Sequence, residues 1–571
     1  MKIITAKKAG FCMGVKRALE MVLDRARREE KRRIVTYGPL IHNPQVVSLL
    51  SSKRVKAGRD RSELSPDDIC FISAHGISPA VREELKSTGV RLCDASCPDV
   101  LKVQGIIRKY ARRGYRTLIY GDPGHSEVEG LLGFTEGRGM VITGPEEVAG
   151  IPGSDRICLV SQTTRNLDEF RRVAAAVKKR FPEALIFETI CASTLERQEE
   201  VVELAGKVDA LVVVGGKNSA NTARLTRIAS GRVPVFQVET ADDLDRERIG
   251  RYKTVGVTAG ASTPSWLIQE VIDRLRDWSW EERRRPLRLL YRLGSVAVKS
   301  NIFIALGGAC LTCASMSLLR LPLSRPAVLL TFFLVLAVYN LNIFADRTAI
   351  LLTQPSRYRF LLAHRKKLSG LIALSLAAAF ILAFSLGPAA VILTVFTLLS
   401  GLAYSFTFLP TALSGIRLKN LTGLKEIFSS LGWGIPAVLI PVLSAPGPVP
   451  GPVPVAVVFI LVFSILFVRS VLFAIRDLQG DRLVGRETIP VVLGVRRTKA
   501  LLFALMAFTA GLLVLAASRG WISPVGYRFP AVIAYGGLYL LLYHRRLLYR
   551  GLPHEMMVDS QLLLAGLISL G

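Results

Sequence analysis

Sulfur is scarce in this sequence. Its 571 residues include eight cysteines, at 12, 70, 93, 97, 158, 191, 310 and 313. That is too sparse for a disulfide-stapled fold and fits a reducing compartment. Acidic charge is also short: 45 Asp and Glu face 74 Lys and Arg, a formal net charge of +29. Zinc-finger spacing and aromatic–basic RNA motifs are both missing, so the excess does not imply a nucleic-acid partner. Basic residues instead bracket apolar stretches, as expected for a membrane lipid surface and an anionic substrate. The start, MKIITAKKAGFC, has neither the apolar core nor the cleavage site of a secretory leader. The first half is therefore expected in the cytoplasm.

Long apolar runs are absent up to about residue 285 and recur beyond about residue 300. The mean hydropathy of +0.37 averages two unlike halves. A single soluble globule and general disorder are both excluded. The expected organisation is an α/β domain over 1–282, a basic interfacial linker over 283–300, and an all-α membrane domain over 301–571. About nine transmembrane helices are predicted: 301–319, 327–345, 369–386, 389–409, 428–444, 455–474, 500–517, 529–543 and 557–571. Ala445–Val455, APGPVPGPVPV, is predicted as an extended loop. Trp278 and Trp280 are expected near lipid headgroups. Loops on the side of residues 1–300 carry several-fold more Lys and Arg than the opposite loops, which hold Arg320, Arg325, Arg519 and Arg528. That imbalance orients the chain as an integral protein of the cell membrane with a cytoplasmic N-terminal domain.

In the first half, strands are predicted at Ile34–Tyr37, Ile69–Ser73, Thr117–Tyr120, Ile157–Val160, Ala184–Phe187, Ala210–Val214 and Thr254–Val257, with helical patterns between them. This alternation predicts parallel sheets. Cys12, Cys97 and Cys191 each stand between a strand end and a helix start, 85 and 94 residues apart. The pattern reads as a three-lobed, pseudo-threefold repeat in which each copy brings one thiolate to a common centre. Thiolates at helix N-termini suit iron–sulfur ligation, and three ligands on a four-iron cluster leave one iron open. Cys93 is a rival ligand, and ordinary buried thiols are the alternative for any single cysteine.

Three histidines, His42, His75 and His125, lie in polar, glycine-containing turns of this half. With SQTT (161–164), KNSAN (217–221) and TAGASTP (258–264), they form polar loops at strand ends, where open α/β sheets bind ligands. Imidazole, hydroxyl and amide groups there can all bond diphosphate oxygens. Turn and cap duty is the plainer explanation for Ser, Asn and Gly.

The segments GFCMGVKRA, HNPQVV, SAHGIS, CDASCPDV, GHSEVEG, SQTT, ETICASTLERQE, VVVGGKNSANTARL and TAGASTPSWLI, in this order, resemble the 4-hydroxy-3-methylbut-2-enyl diphosphate reductase family over roughly residues 1–280. The resemblance implies a 4Fe–4S cluster on Cys12, Cys97 and Cys191. It implies proton delivery by Glu127 with Thr163 (Thr164 being its neighbour), and diphosphate binding by His42, His75, Ser219, Asn221 and Ser262, with His125 beside them. It also implies an isoprenoid diphosphate substrate, isopentenyl and dimethylallyl diphosphate as products, and a reduced ferredoxin or flavodoxin-type electron donor. Where that family commonly carries a second serine, this chain has Ala220.

In the second half, Asn342 and Asp346 form N-x-x-x-D, and Asp477 and Asp481 form D-x-x-x-D. At i, i+4 each pair shares a helix face, and converging carboxylates suit Mg²⁺ bridged to a diphosphate. Arg417, Lys419 and Arg482 are candidate phosphate contacts; balancing the basic loops is the alternative duty for the acids. NLNIFADR, LAYSFTFLP, LKNLTGLKEIF and FAIRDLQGDRLVGRETIPVVLG resemble the UbiA-type intramembrane prenyltransferases over about 298–571. That resemblance implies Mg²⁺, a prenyl diphosphate donor and ligation by these four residues. The last acid of the family's first motif is replaced by Ile350. Two rivals follow: a lipid-binding anchor behind a working reductase, or a chain that uses its cluster for electron transfer alone.

Overall fold

The computed structural model describes residues 1–571 except 30–31, 42, 59–61, 154–155, 218, 346–349, 352, 406–422, 485, 545–550 and 571. The chain divides into two compact units, Met1–Glu281 and Glu282–Gly571.

Among its described residues the first unit has twelve strands: β1 (Lys2–Thr5), β2 (Ile34–Tyr37), β3 (Val55–Gly58), β4 (Ile69–Ile72), β5 (Arg91–Asp94), β6 (Arg116–Tyr120), β7 (Gly139–Ile142), β8 (Ile157–Ser161), β9 (Leu185–Ile186), β10 (Ala210–Val214), β11 (Val235–Val238) and β12 (Thr254–Ala259). They form three four-stranded sheets, ordered β3-β2-β4-β5, β7-β6-β8-β9 and β11-β10-β12-β1. Every pairing is parallel. The three orders are the same: second strand, first, third, fourth. In the last sheet the chain's first strand fills the fourth place. These are the three lobes the cysteine spacing predicted.

Interior strands are buried on both faces, which is why they read as continuous apolar runs. Val212 and Val213 are fully buried, as are Leu159 and Val160. Edge strands are half-wetted and carry no such signal; β3 is VKAG and β5 is RLCD. All six interior strands were predicted, whereas the edges β1, β3, β5, β7 and β11 were not.

The second unit is helical. The nine predicted segments are helical where described: 428–444 runs through Leu424–Gly434, a π-helical turn at Ile435–Leu439 and Ile440–Ser444, and the ends of 389–409 and 557–571 lie outside the described residues. Among the described residues, six helices are long and apolar enough to cross a membrane, or seven if the bent pair Arg285–Lys299 and Ile302–Leu318 is one span. Pro388–Leu402 is a shorter apolar helix, and Leu552–Leu570 carries Glu555 and Asp559. A continuous apolar core runs through Leu311, Val335, Val458, Leu461, Leu502, Leu540 and Leu562.

Two expectations are corrected. Trp278 is buried within the first unit, on the helix Ser265–Glu281, because its ring serves that unit's packing rather than a headgroup layer. The proline-rich loop ends at Gly451, since Pro452 opens the helix Pro452–Arg476 at a position where a missing N–H costs no helical bond.

Candidate active site

Each cysteine of the spaced trio follows the fourth strand of its sheet and caps the next helix. Cys12 caps Met13–Arg28, Cys97 caps Pro98–Ala111 and Cys191 caps Ala192–Ala205. Each also makes the same backbone bond to the loop after the third strand of its sheet. Cys12 N donates to Ala261 O at 3.0 Å, Cys97 N to Ala74 O at 2.9 Å and Cys191 N to Thr163 O at 3.0 Å. Cys12 acts electrostatically on both Cys97 and Cys191, so the three thiols share one neighbourhood. Gly14 lines it: a Cβ there would sit 2.5 Å from Cys97 Sγ, so a side chain would fill the space beside the sulfur.

Two arginines brace this apex. Arg17 Nη1 donates to Ser96 O at 2.8 Å, and Arg197 Nη2 to Gly10 O at 2.6 Å. Arg197 is buried close to Cys12 and Cys191, where a cation offsets thiolate charge. Burial pushes the Cys97 thiol up to about 11 and raises Cys191 as well, so soft-metal binding here must displace protons. Three convergent sulfur donors, a side-chain-free wall at Gly14 and a buried guanidinium fit an iron–sulfur cluster. Cys93 lies instead in β5, beside buried Cys70.

Thr163 ties that apex to an acid. Its carbonyl holds Cys191 N, its N–H donates to Glu127 Oε1 at 2.7 Å, and its Oγ1 donates to Glu127 Oε2 at 3.1 Å. Thr164 Oγ1 instead accepts from Gln162 Nε2 at 3.2 Å. Glu127 is 1% exposed, and burial pushes its carboxyl up to about 7. His125 caps the helix Ser126–Leu132, its Nδ1 accepting from Glu127 N at 3.1 Å, which leaves the proton on Nε2. The His75 and His125 rings meet edge to face with centroids 5.4 Å apart. Polar atoms of His75, His125 and Glu127 all lie within 4.8 Å of one another.

The lobe of β10, β11, β12 and β1 supplies a third wall. Ser219 caps the helix Ala220–Ser230 through Thr222 N at 3.4 Å. Asn221 is buried with both amide atoms lacking hydrogen-bond partners among the described residues, the mark of a group that awaits a polar ligand. Ser262 lies in the turn after β12, next to Thr263. A Cβ on Gly215 would sit 2.5 Å from Thr222 Oγ1 and 2.8 Å from Thr263 Oγ1, so these two turns abut. His42 lies outside the described residues.

The second unit holds a cavity of about 560 Å³ lined by Asn342, Ile350, Lys425, Arg469, Asp477, Arg486 and Asp559, with Trp433, Phe459 and Phe473 among its apolar walls. Asp477 pairs with Arg476 at 2.6 Å, Arg476 with Glu555 at 3.0 Å, and Arg469 with Asp559 at 2.6 Å. In the D-x-x-x-D pair, Asp477 ends the helix Pro452–Arg476 and borders the cavity, while Asp481, fully buried in the following helix Leu478–Val484, donates its N–H to Asp477 O at 2.9 Å and lies within electrostatic reach of the Asp477 carboxylate. Asp346, Arg417 and Lys419 lie outside the described residues. Sequence reasoning missed Glu426, which is fully buried and acts on Asp481; no carboxylate oxygen of either has a hydrogen-bond partner among the described residues. It also missed Arg197 and Arg224. Nothing in the pattern separates these cations from the many surface arginines.

Residues 3–276 match the LytB protein family and residues 301–555 the UbiA prenyltransferase family. The 4-hydroxy-3-methylbut-2-enyl diphosphate reductase of Opitutus terrae is 42% identical over 287 residues, spanning 48% of this chain and 99% of that protein. The enzyme of the same name from Alkaliphilus oremlandii is 37% identical over 279 residues, 48% of this chain and all of that protein. A solved UbiA homolog from Aeropyrum pernix is 18% identical with a TM-score of 0.38, covering 48% of this chain and 98% of that one. The chain belongs to the 4-hydroxy-3-methylbut-2-enyl diphosphate reductase family, and a UbiA prenyltransferase-family domain follows in the same polypeptide.

Proposed function

We propose that residues 1–282 reduce 4-hydroxy-3-methylbut-2-enyl diphosphate to isopentenyl and dimethylallyl diphosphate, and that residues 301–571 transfer a prenyl group from a prenyl diphosphate. The first reaction consumes two electrons and two protons and releases water. Cys12, Cys97 and Cys191 would hold the 4Fe–4S cluster, which when bound supplies electrons and a Lewis-acid position for the alcohol oxygen. A reduced ferredoxin or flavodoxin-type protein is the proposed donor.

The chain's own groups do the rest. Ser219, Asn221, Ser262, His75 and His125, with His42, bind the diphosphate. Glu127, protonated below about 7, gives its proton to the departing hydroxyl, and Thr163 holds both of its oxygens in place. The observation that carries this reading is Thr163 itself. One residue holds the backbone of Cys191 and both carboxyl oxygens of Glu127, so the acid and the sulfur apex are placed together.

In the membrane unit, Asn342, Asp346, Asp477 and Asp481 would hold Mg²⁺ on the prenyl diphosphate, and the apolar cavity wall would take the prenyl chain. Nine spans in the cell membrane with a cytoplasmic reductase is the arrangement we favour. The helix Arg285–Lys299 supports it: bent 75° from Ile302–Leu318, it exposes Leu287, Leu289, Leu290, Leu293 and Val296 beside a basic edge, as an interfacial helix does.

The test is an anaerobic assay of the full chain with a strong chemical reductant. The two five-carbon diphosphates should form, and Glu127→Gln should suppress them. No consumption of substrate by iron-loaded wild-type protein would refute the reading and favour electron transfer alone.

A further inference from the structure

One cation of the reductase unit is placed where none of the roles above uses it. Arg224 lies one turn beyond Asn221 on the helix Ala220–Ser230 and is 8% exposed. It belongs to the lobe of β10 and reaches into the lobe of β6 and β8. Its Nη1 donates to Thr164 O, and its Nη2 to Asp122 Oδ2 at 3.0 Å. Thr164 adjoins Thr163, and Asp122 stands five residues before Glu127. The same guanidinium therefore grips both segments that carry the Glu127–Thr163 pair. Asp122 is fixed from its other side by Arg165, which stacks 4.0 Å from the centre of the Tyr120 ring, and by its N–H bond to Gln162 Oε1 at 2.9 Å.

From these contacts we propose that Arg224 is a positioning residue: it ties the helix that presents Ser219 and Asn221 to the Glu127–Thr163 pair, so that diphosphate held at one end and proton delivery at the other occur in one geometry. The inference rests on the reductase reading. Asn221 is buried without hydrogen-bond partners among the described residues and sits three residues before Arg224. A ligand that engages it pulls on the helix that carries the grip.

The charge of Arg224 matters as well as its reach. The groups facing Glu127 are Thr163 from the loop after β8, His125 and Asp122 from the loop after β6, His75 from the loop after β4, and Arg224. Arg224 holds the Glu127 carboxyl down against the desolvation that raises it, while Asp122 raises it.

The test uses the full chain, purified anaerobically with its cluster, as wild type, Arg224→Gln and Arg224→Lys. Difference infrared spectroscopy reads Glu127 titration without turnover, the band being assigned with Glu127→Gln. In Arg224→Gln the midpoint should rise by about one pH unit as the cation is lost. In Arg224→Lys, which keeps the charge but cannot span both acceptors, the midpoint should stay near wild type while kcat/KM for the diphosphate substrate falls by about tenfold or more. An unmoved midpoint in Arg224→Gln with a normal cluster spectrum overturns the proposal, as do wild-type kinetics in Arg224→Lys. If Arg224→Gln does not load its cluster, Arg224→Lys decides alone. Because the infrared reading needs no product, failure here is distinct from failure of the assigned reaction.

Discussion

Glu127 and Asp481 are both carboxylates sealed from water, one in each half of the chain, and the two halves treat them in opposite ways. Glu127 takes an N–H and an O–H from Thr163. Asp481 has Arg486 at 3.6 Å, too long for a hydrogen bond, and neither of its oxygens has a hydrogen-bond partner among the described residues. A buried charge left without donors is costly unless something else binds it. The reductase half thus builds its acid from its own residues. In the membrane half Asp481 and Glu426 lie buried together, with Lys425 the cation that acts on both.

The sharpest break between the halves should come from Cys97→Ser. Reductase activity should fall by about 10³-fold or more, while Mg²⁺-dependent prenyl transfer in the same preparation stays at wild type. Parallel loss of both would mean that the halves are not separate catalysts. Glu127→Gln should cost about 10²–10⁴-fold in reductase kcat and leave the iron content intact. Wild-type reductase rate should fall as pH rises through about 7, where Glu127 loses its proton. In the membrane half, Asp481→Asn should weaken Mn²⁺ binding, read by electron paramagnetic resonance, by about 10–100-fold. Ile350→Asp should strengthen it and raise prenyl transfer. An inert Ile350→Asp together with a wild type that transfers no prenyl group would favour the lipid-anchor rival. Asn221→Ala should raise the reductase KM by about tenfold, equivalent to about 1.4 kcal/mol for one hydrogen bond to a charged group. The smallest effect is on stability. The Glu127 carboxyl is raised on folding, so its contribution is complete below about 4.5 and is lost as pH rises towards about 7. Glu127→Gln should flatten that part of the reductase unit's unfolding profile.

Legibility in the sequence followed burial. Interior strands such as ALVVV at β10 declare themselves because both faces are dry, and edges such as VKAG at β3 do not. The cysteine spacing anticipated three lobes because each thiol sits at the same joint, the fourth strand's end and a helix start. What stayed hidden were residues whose duty is set by a distant stretch of chain. Arg197 meets Gly10 across 187 residues, and Arg224 meets Asp122 across 102. No local pattern encodes such a meeting. Glu426 was obscured by its neighbour Lys425, with which it reads as ordinary surface charge. The number of spans is harder to read, because apolar length alone does not separate a crossing helix from a short one such as Pro388–Leu402.

The most direct test is an iron and sulfide count with Mössbauer spectroscopy on the full chain, purified under strict exclusion of oxygen, beside Cys12→Ser, Cys97→Ser and Cys191→Ser. The account predicts about four irons per wild-type chain and marked loss in each variant. A wild type without iron, or three variants that bind it as well as wild type, would contradict it.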